Sequence, residues 1–239
     1  MMFEYQWRTV LVYMPDYLHA AVLALWITVL GFLLAFVIAI AAALARNSAS
    51  RILRIVAACY VEAIRNTPVL LQIFIVFFAL PSFGIRMSAV TAGTIALGVN
   101  VGAYLTEVVR AGISSVGRGQ LEAAQILGLS TPNTFLHVVA PQALRNVYPA
   151  LVNNLVQVLL GTSLLSTIAV PEITGVATVI NARTLLFVQV FGIAVALYLI
   201  LSYGLSAVAA LIGRLTFRAP AGKRIRRRPS ALSLIGARS

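Results

Sequence analysis

The sequence predicts an all-α polytopic membrane protein with five transmembrane helices. Of its 239 residues, 61% are apolar and only 10% are charged, and the mean hydropathy is +0.97. Soluble domains usually contain about 25% charged residues, so an ordinary soluble globule and a disordered chain are both excluded. The single cysteine, Cys59, excludes a disulfide framework, and two histidines leave little for a metal site. We therefore expect neither a metal nor a cofactor on this chain.

Five stretches are long enough to cross a bilayer, since a membrane-spanning helix needs about 20 largely apolar residues. They cover residues 20–45, 55–80, 87–109, 149–170 and 185–212. Helix is the expected state, because backbone polar groups in lipid must be satisfied within the segment. The first stretch exceeds the apolar core of a cleavable signal, which has about 7–15 residues, so we interpret it as a retained span.

The positive charges predict the topology. Fourteen of the 18 Lys and Arg residues follow spans one and three or lie in the C-terminal tail, whereas Arg8, Arg86 and Arg183 fall on the other side. Because cytoplasmic loops are enriched in Lys and Arg, the N-terminus is expected outside and the C-terminus in the cytoplasm. The basic cluster at 223–228 could bind nucleic acid or anionic lipid. A solvated tail that fixes the topology is the favoured interpretation, and no nucleic-acid partner is expected.

This layout divides the chain into three regions. Residues 1–19 form an N-terminal periplasmic or interfacial segment, residues 20–213 the transmembrane domain, and residues 214–239 a basic cytoplasmic tail. Within the transmembrane domain, residues 110–148 form a cytoplasmic loop. That loop is too long for a bare connection, so it should have structure or function of its own.

The cytoplasmic loop contains a helix–turn–helix pattern. Residues 122–127 favour a helix, and Gly128 suits a left-handed helix C-terminus. Thr131 is predicted to cap a second short helix, with Pro132 at its first position and a further proline, Pro141, at its end. Small residues in the first helix would allow a partner surface to approach closely.

The loop resembles the signature of permease subunits of binding-protein-dependent ABC importers. That signature reads Glu-Ala-Ala, three residues, Gly, nine residues, Ile-x-Leu-Pro. Val138 and Ala140 replace its Ile and Leu. In this family the loop forms a coupling helix that docks on a cytoplasmic ATPase. The resemblance therefore implies ATPase-coupling roles for the matching residues, which are Glu122, Ala123, Ala124, Gly128 and Pro141.

Other segments resemble the polar amino-acid subgroup of these permeases. Residues 62–72 are similar to its Glu-x-x-Arg-Gly-Thr-Pro-x-x-x-Gln segment, with Asn66 in place of Gly, and residues 102–113 and 170–174 also match. The resemblance implies a subunit that translocates polar amino acids across the bacterial cytoplasmic (inner) membrane and is not itself an enzyme. It also implies three protein partners: an ATPase subunit that uses ATP and Mg²⁺, a second permease that is identical or homologous, and an extracytoplasmic solute-binding protein.

Charged residues inside the spans are functional candidates, because placing them in lipid is costly. Glu62 and Arg65 are three residues apart, as are Glu107 and Arg110, so each pair shares one helix face. We predict that both are structural ion pairs. A direct contact between the first pair and the substrate is the alternative.

Span four carries an uncharged polar stripe formed by Asn153, Asn154, Gln157 and Gly161, which follow three- and four-residue steps. The stripe could line a substrate pathway, or it could hold two permeases together through amide hydrogen bonds. Gln72 is a further pathway candidate, with a helix–helix contact as its alternative. Gly161 stands where many relatives carry Asp, so the resemblance implies no fixed carboxylate there.

Two other classes of membrane protein fit the sequence less well. A secondary transporter or channel driven by an ion gradient commonly shows inverted repeats and charge at the membrane midplane, and neither is evident. A scaffold without transport activity would use the loop but would not need the amide stripe. No phosphate-binding loop is recognisable, because the only Gly-Lys pair is followed by Arg224. ATP hydrolysis is therefore expected on another subunit.

Overall fold

A computed structural model describes residues 2–217, with side chains from residue 6 onward. Across these residues the regular structure is helical and contains no strand. π-helical turns follow α4 and α7, and 3₁₀ turns occur at Leu80–Phe83 and at Thr162–Ile168, directly after α8. Most of the predicted basic tail, residues 218–239, lies outside the described residues. The helices are α1 Met2–Leu11, α2 Met14–Arg46, α3 Arg51–Arg65, α4 Val69–Phe74, α5 Ala89–Ser114, α6 Arg118–Ile126, α7 Thr131–Thr134, α8 Ala140–Gly161, α9 Ile173–Thr184 and α10 Phe187–Thr216.

The membrane-protein prediction is confirmed. Within residues 2–217, four helices are long and apolar enough to cross a membrane: α2, α5, the run Thr131–Ile168 and α10. A fifth candidate crossing is the pair of helical segments Arg51–Arg65 and Val69–Phe83, which meet at a bend of 108°. The helix expected over 55–80 is therefore interrupted and not continuous. Pro68 ends the helix because it has no N–H to donate and pushes the preceding residue out of the helical region.

Contacts between helix ends fix the direction of each span. The starts of α2 and α10 meet where the Tyr17 hydroxyl donates to the carbonyl oxygen of Val190 at 2.9 Å. The ends of α2 and α5 meet where Arg46 contacts Glu107 at 2.6 Å. Near the start of α8, the Tyr148 hydroxyl donates to the α10 backbone close to its C-terminus at 2.6 Å. Thus α2, α5 and α10 run parallel, α8 runs antiparallel, and α3 with α4 returns the chain from α2 to α5.

The two ends of the bundle differ in their charge. The basic end is where α2, α5 and α10 finish and where Arg46, Arg110 and Arg214 lie. At the opposite end, α1 contacts the start of α10 through a hydrogen bond from Gln189 to Gln6 at 2.9 Å. The first and last described helices therefore begin and finish at opposite ends of the bundle.

Tight packing of α5 joins these spans. A Cβ on Gly98 would lie 2.7 Å from Leu34 of α2, and a Cβ on Gly112 would lie 2.3 Å from Val147 of α8. Small residues allow membrane helices to approach closely where van der Waals packing drives association. The C-terminal end of α5 is thus held directly against the first turns of α8.

The loop predicted at 110–148 is shorter than expected. Helix α5 continues to Ser114, and the fourth span begins at Thr131 instead of residue 149. The predicted cap, Thr131, is instead the first helical residue, and Ser130 precedes it without a capping hydrogen bond from its side chain. The helix does not end at Pro141, because it continues through a π-helical turn into α8. That turn precedes Pro141, whose missing N–H falls in the first turn of α8, where proline is tolerated.

Candidate functional site

Helix α6 lies at the basic end and finishes in a tightly hydrogen-bonded turn. Gly128 has the left-handed conformation that the sequence predicts, with φ of 71°. Its N–H donates to the carbonyl oxygen of Gln125 at 2.9 Å, and the N–H of Leu129 donates to that of Ala124 at 3.0 Å. These two bonds form a Schellman motif, which satisfies carbonyl groups that a helix end otherwise leaves open. The turn therefore directs the chain sharply from α6 into α7.

The predicted coupling residues occupy different faces of this hairpin. Glu122, Ala123 and Gly128 are exposed, whereas Ala124 is buried, with only 2% of its surface exposed. Helix α6 packs on α7 and the following π-helical turn, so Ala124 is buried within the chain and the other four residues are the accessible ones. Pro141 is exposed on the first turn of α8.

Two apolar residues at the end of α6 were missed by the sequence analysis. Ile126 and Leu127 are 86% and 77% exposed, which makes them among the most exposed large apolar side chains described. They directly precede Gly128 and project from the turn at the basic end. The sequence offered little indication of their exposure, because two apolar residues at a helix end more often pack inward than outward.

A carboxylate on α5 ties the basic end of that helix to α2. Glu107 accepts hydrogen bonds from Arg110 at 2.7 and 3.0 Å and from Arg46 at 2.6 Å. The interaction with Arg46 crosses 61 residues of sequence and ties the end of α2 to the end of α5. Two cations share one anion, so the cluster carries an excess positive charge.

The predicted ion pair between Glu62 and Arg65 is wrong. Among the described residues, no ion pair joins them. Asn66 donates instead to Glu62, at 2.8 Å to its carbonyl oxygen and 3.2 Å to Oε2. The Arg65 guanidinium lies over the ring of Tyr104, 5.5 Å from its centroid. The spacing rule fails because α3 ends at Arg65, where a capping amide and an aromatic face on α5 compete for the two side chains.

Gln72 braces the break between α3 and α4. Its Nε2 donates to the carbonyl oxygen of Ile64 at 2.9 Å and to Oγ1 of Thr67 at 2.8 Å. Its Oε1 accepts from Asn100 of α5 at 3.0 Å. The side chain is therefore committed to helix–helix contacts, the alternative interpretation of its role. Asn100 was missed because its partner is 28 residues away.

The polar residues of span four do not form one stripe. Asn153 and Gln157 are exposed on one face of α8. Asn154 is buried, with 9% exposed, and donates to the backbone of its own preceding turn at 2.8 Å. Gly161 is partly buried. Consecutive helical residues point about 100° apart, so Asn153 and Asn154 cannot share a face.

A buried carboxylate at the opposite end was also missed. Glu172 is fully buried and caps α9, accepting hydrogen bonds from the N–H groups of Thr174 at 3.0 Å and Gly175 at 2.7 Å. The Tyr198 hydroxyl of α10 donates to the same carboxylate at 2.5 Å. Burial raises the pKa of Glu172, and these three hydrogen bonds oppose that shift. The cluster joins α9 to α10 beside a cavity of about 600 Å³, which Thr174 and Tyr198 line.

Sequence comparisons place the chain among known transport proteins. The profile of the family described as binding-protein-dependent transport system inner membrane component matches residues 31–218. The L-cystine transport system permease protein of Bacillus subtilis is 40% identical over 189 residues, which cover 79% of this chain and 81% of that protein. The glutamine transport system permease protein of Escherichia coli K12 is 33% identical over 207 residues, covering 86% and 94% of the two chains.

Solved structures agree with this result. The crystal structure of an amino acid ABC transporter with histidines superposes with a TM-score of 0.81 at 31% identity, covering 87% of this chain and 98% of that chain. An inward-facing methionine ABC transporter, at 17% identity and a TM-score of 0.74, shares the fold. The chain belongs to the family of binding-protein-dependent transport system inner membrane components and is a permease of the amino-acid ABC transporter type.

Proposed function

We propose that this chain is the membrane subunit of an importer that moves polar amino acids into a bacterial cell, driven by ATP hydrolysis on a separate ATPase subunit. The observation that carries the proposal is the α6 hairpin, which presents apolar side chains at the basic end of the bundle. A second permease and an extracytoplasmic solute-binding protein complete the proposed complex in the inner membrane.

The basic end is the proposed cytoplasmic face. Arg46, Arg54 and Arg110 lie there, and cytoplasmic loops are typically enriched in such residues. In this orientation residues 1–19 lie outside the cell, residues 20–213 form the permease domain and residues 214–239 a basic cytoplasmic tail. The contacts that place α1 and the end of α10 at opposite ends of the bundle support this orientation.

The proposed ATPase contact is the end of α6. Exposed apolar patches on an aqueous face mark interaction sites, and Ile126 and Leu127 provide one beside the exposed Glu122. Ala124 is buried within the hairpin, and Glu107 links α5, the helix that precedes α6, to α2. Movement of an ATPase against α6 would thus be transmitted to the spans α2 and α5. It would shift the equilibrium between two conformations of the bundle.

The proposed substrate path runs along the exposed face of α8. Amide side chains exposed to lipid would lose hydrogen bonds, so Asn153 and Gln157 should face a water-filled path or another permease. Uncharged amides can hydrogen-bond the ammonium and carboxylate of any amino acid. Gln72 and Asn154, which are engaged within the bundle, would support this face without touching the substrate.

The coupling proposal is tested with Leu127→Ser and Glu122→Arg. Val12→Ser is the matched control, since Val12 is 76% exposed near the opposite end. Because burying one leucine contributes about 1.5–3 kcal/mol, we expect Leu127→Ser to weaken ATPase association about tenfold or more. The measurement is ATPase co-purification, together with substrate-stimulated ATP hydrolysis in reconstituted vesicles. Unchanged association and stimulation in both loop variants would refute the assignment.

The path proposal is tested with Asn153→Leu and Gln157→Leu. Loss of one hydrogen-bonding partner costs about 0.5–1.5 kcal/mol, so uptake per assembled complex should fall several-fold. If assembly falls while uptake per complex is unchanged, the amides join two permeases and do not line the path. Uptake that continues without ATP and stops when an ion gradient is dissipated would refute the importer proposal itself.

A further inference from the structure

The break between α3 and α4 is a stable feature of the membrane-spanning part of the chain. Three side chains occupy the carbonyl groups that the end of α3 leaves open: Asn66 bonds to Glu62 at 2.8 Å, Thr67 to Ala63 at 2.9 Å, and Gln72 to Ile64 at 2.9 Å. The broken helix is therefore held by its own hydrogen bonds. Discontinuous helices with satisfied backbone groups commonly form binding sites in transporters.

Two opposite charges remain available at this break. Glu62 and Arg65 are both exposed and unpaired with each other. The Arg65 guanidinium donates no hydrogen bond to any described residue; it lies over the ring of Tyr104, and its charge also interacts with the Glu107 carboxylate. The Glu62 carboxylate receives one hydrogen bond, from the neutral amide of Asn66 at 3.2 Å. Ionisable groups in membrane segments face a water-filled path or a binding partner, because exposure to lipid is costly.

The position of the pair along the bundle can be read from α5. Tyr104, which supports Arg65, precedes Glu107 by three residues, or about 4.5 Å of helix rise. Glu107 lies at the basic end, so the pair sits just inside that end. Side chains three residues apart on a helix have Cβ atoms about 5–6 Å apart. A small ligand that carries both an ammonium and a carboxylate can therefore contact both side chains at once.

We infer that Glu62 and Arg65 form a binding site for the zwitterionic main-chain groups of an α-amino acid. Arg65 donates two parallel hydrogen bonds to the α-carboxylate, a geometry that guanidinium groups favour, and Glu62 accepts from the α-ammonium. The site recognises what all amino acids share, so it does not select the side chain. This inference rests on the proposed function and adds a charged site to the neutral face of α8.

The test measures binding to the purified permease–ATPase complex without a solute-binding protein. The probe is whichever L-amino acid, among the twenty standard ones and L-cystine, the wild-type complex binds most tightly. Two analogues accompany it: the amine that lacks the α-carboxylate and the acid that lacks the α-ammonium. The variants are Arg65→Gln and Glu62→Gln. Arg51→Gln is the matched control, because Arg51 is an exposed arginine in the first turn of the same helix.

We expect Arg65→Gln to weaken amino-acid binding about tenfold or more while leaving binding of the amine unchanged, since hydrogen bonds to charged groups are the stronger ones. Glu62→Gln should do the same for the amino acid and leave binding of the deaminated acid unchanged. Arg51→Gln should behave as wild type. If Arg65→Gln fails to assemble, Arg65→Lys retains the charge without the two-pronged donor and should show an intermediate loss.

Three results would overturn the inference. The first is equal weakening of the amino acid and the amine in Arg65→Gln, which indicates a structural role. The second is wild-type complex that imports an amino acid with its solute-binding protein but binds none directly. The third is loss of the permease dimer in each charge-reversed variant, Arg65→Glu and Glu62→Arg, with recovery of the dimer in the double variant. That result would assign the pair to a contact between two copies of the permease. Absence of ATP-dependent uptake by the wild-type complex would instead refute the proposed function.

Discussion

Substitution of Gly128 separates backbone conformation from contact with the ATPase. Gly128 has φ of +71°, and no atom outside its neighbours lies within 4 Å of the Cβ that a substitution would add. The cost of a side chain within this chain is therefore conformational and not steric. The left-handed region costs an ordinary residue about 1–2 kcal/mol, is more accessible to asparagine, and is least accessible to β-branched residues.

The expected order of function is therefore Gly, then Asn, then Ala, then Val at position 128. A cost of 1–2 kcal/mol limits the loss of ATPase affinity in Gly128→Ala to about 5- to 30-fold. Gly128→Asn should lose less, even though asparagine is the larger side chain. The assay is substrate-stimulated ATP hydrolysis at varied ATPase concentration in reconstituted vesicles, with protein insertion checked in each variant.

The reverse order for the two small substitutions would refute this reasoning. If Gly128→Ala retains more coupling than Gly128→Asn, the volume available against the ATPase governs the site, and the left-handed turn does not. Equal activity of all four proteins would show that the turn at the end of α6 is not needed for coupling.

Four further substitutions probe the bundle through the thermal unfolding of purified protein in detergent. Gly112→Ala should destabilise the protein by about 1–3 kcal/mol, because the added Cβ would lie 2.3 Å from Val147. Gly204→Ala is the matched control: the space around Gly204 is open, so this change should stabilise the protein by about 0.5–1 kcal/mol. Equal shifts in the two variants would contradict the packing of α5 against α8. Glu107→Gln should destabilise by on the order of 1 kcal/mol, because two arginines lose their shared anion; an unchanged midpoint would make the cluster dispensable. Burial raises the pKa of Glu172 above its ordinary 4.5, so the native state binds more protons than the unfolded state between the two pKa values. The stability of the wild type should therefore fall as pH rises through that interval, and Glu172→Gln should lack this component; identical pH profiles would contradict it.

The sequence was sufficient for features whose causes are local. The apolar stretches reveal the spans because any helix in lipid must be long and apolar. The left-handed turn at Gly128 could be predicted because few other residues tolerate that conformation. The loop motif identified the family because its residues are close together in the chain. Each of these signals lies within a window of a few turns of helix.

The break at Pro68 shows where local reasoning stops. An apolar stretch over 55–80 predicts one long helix, and Pro68 alone predicts a kink. At the bend of 108°, Gln72 accepts a hydrogen bond from Asn100, which belongs to another span and is not identifiable as its partner from local sequence. The expected pairing of Glu62 with its neighbour failed for the same reason, because the competing aromatic ring is also on that span. Residue spacing describes which side chains can meet, whereas tertiary packing decides which of them do.

Adjacent residues in α8 make this limit concrete. Asn153 and Asn154 have the same chemistry, yet one is exposed and the other is buried with its amide bonded to the preceding turn. A helical rotation of about 100° separates them, and the sequence does not say which direction faces the core. The packing of α5 against α8 at Gly112 fixes that direction, since a side chain larger than hydrogen there would displace Val147. The exposed face of α8, and with it the proposed substrate path, is therefore determined by a glycine on a neighbouring helix.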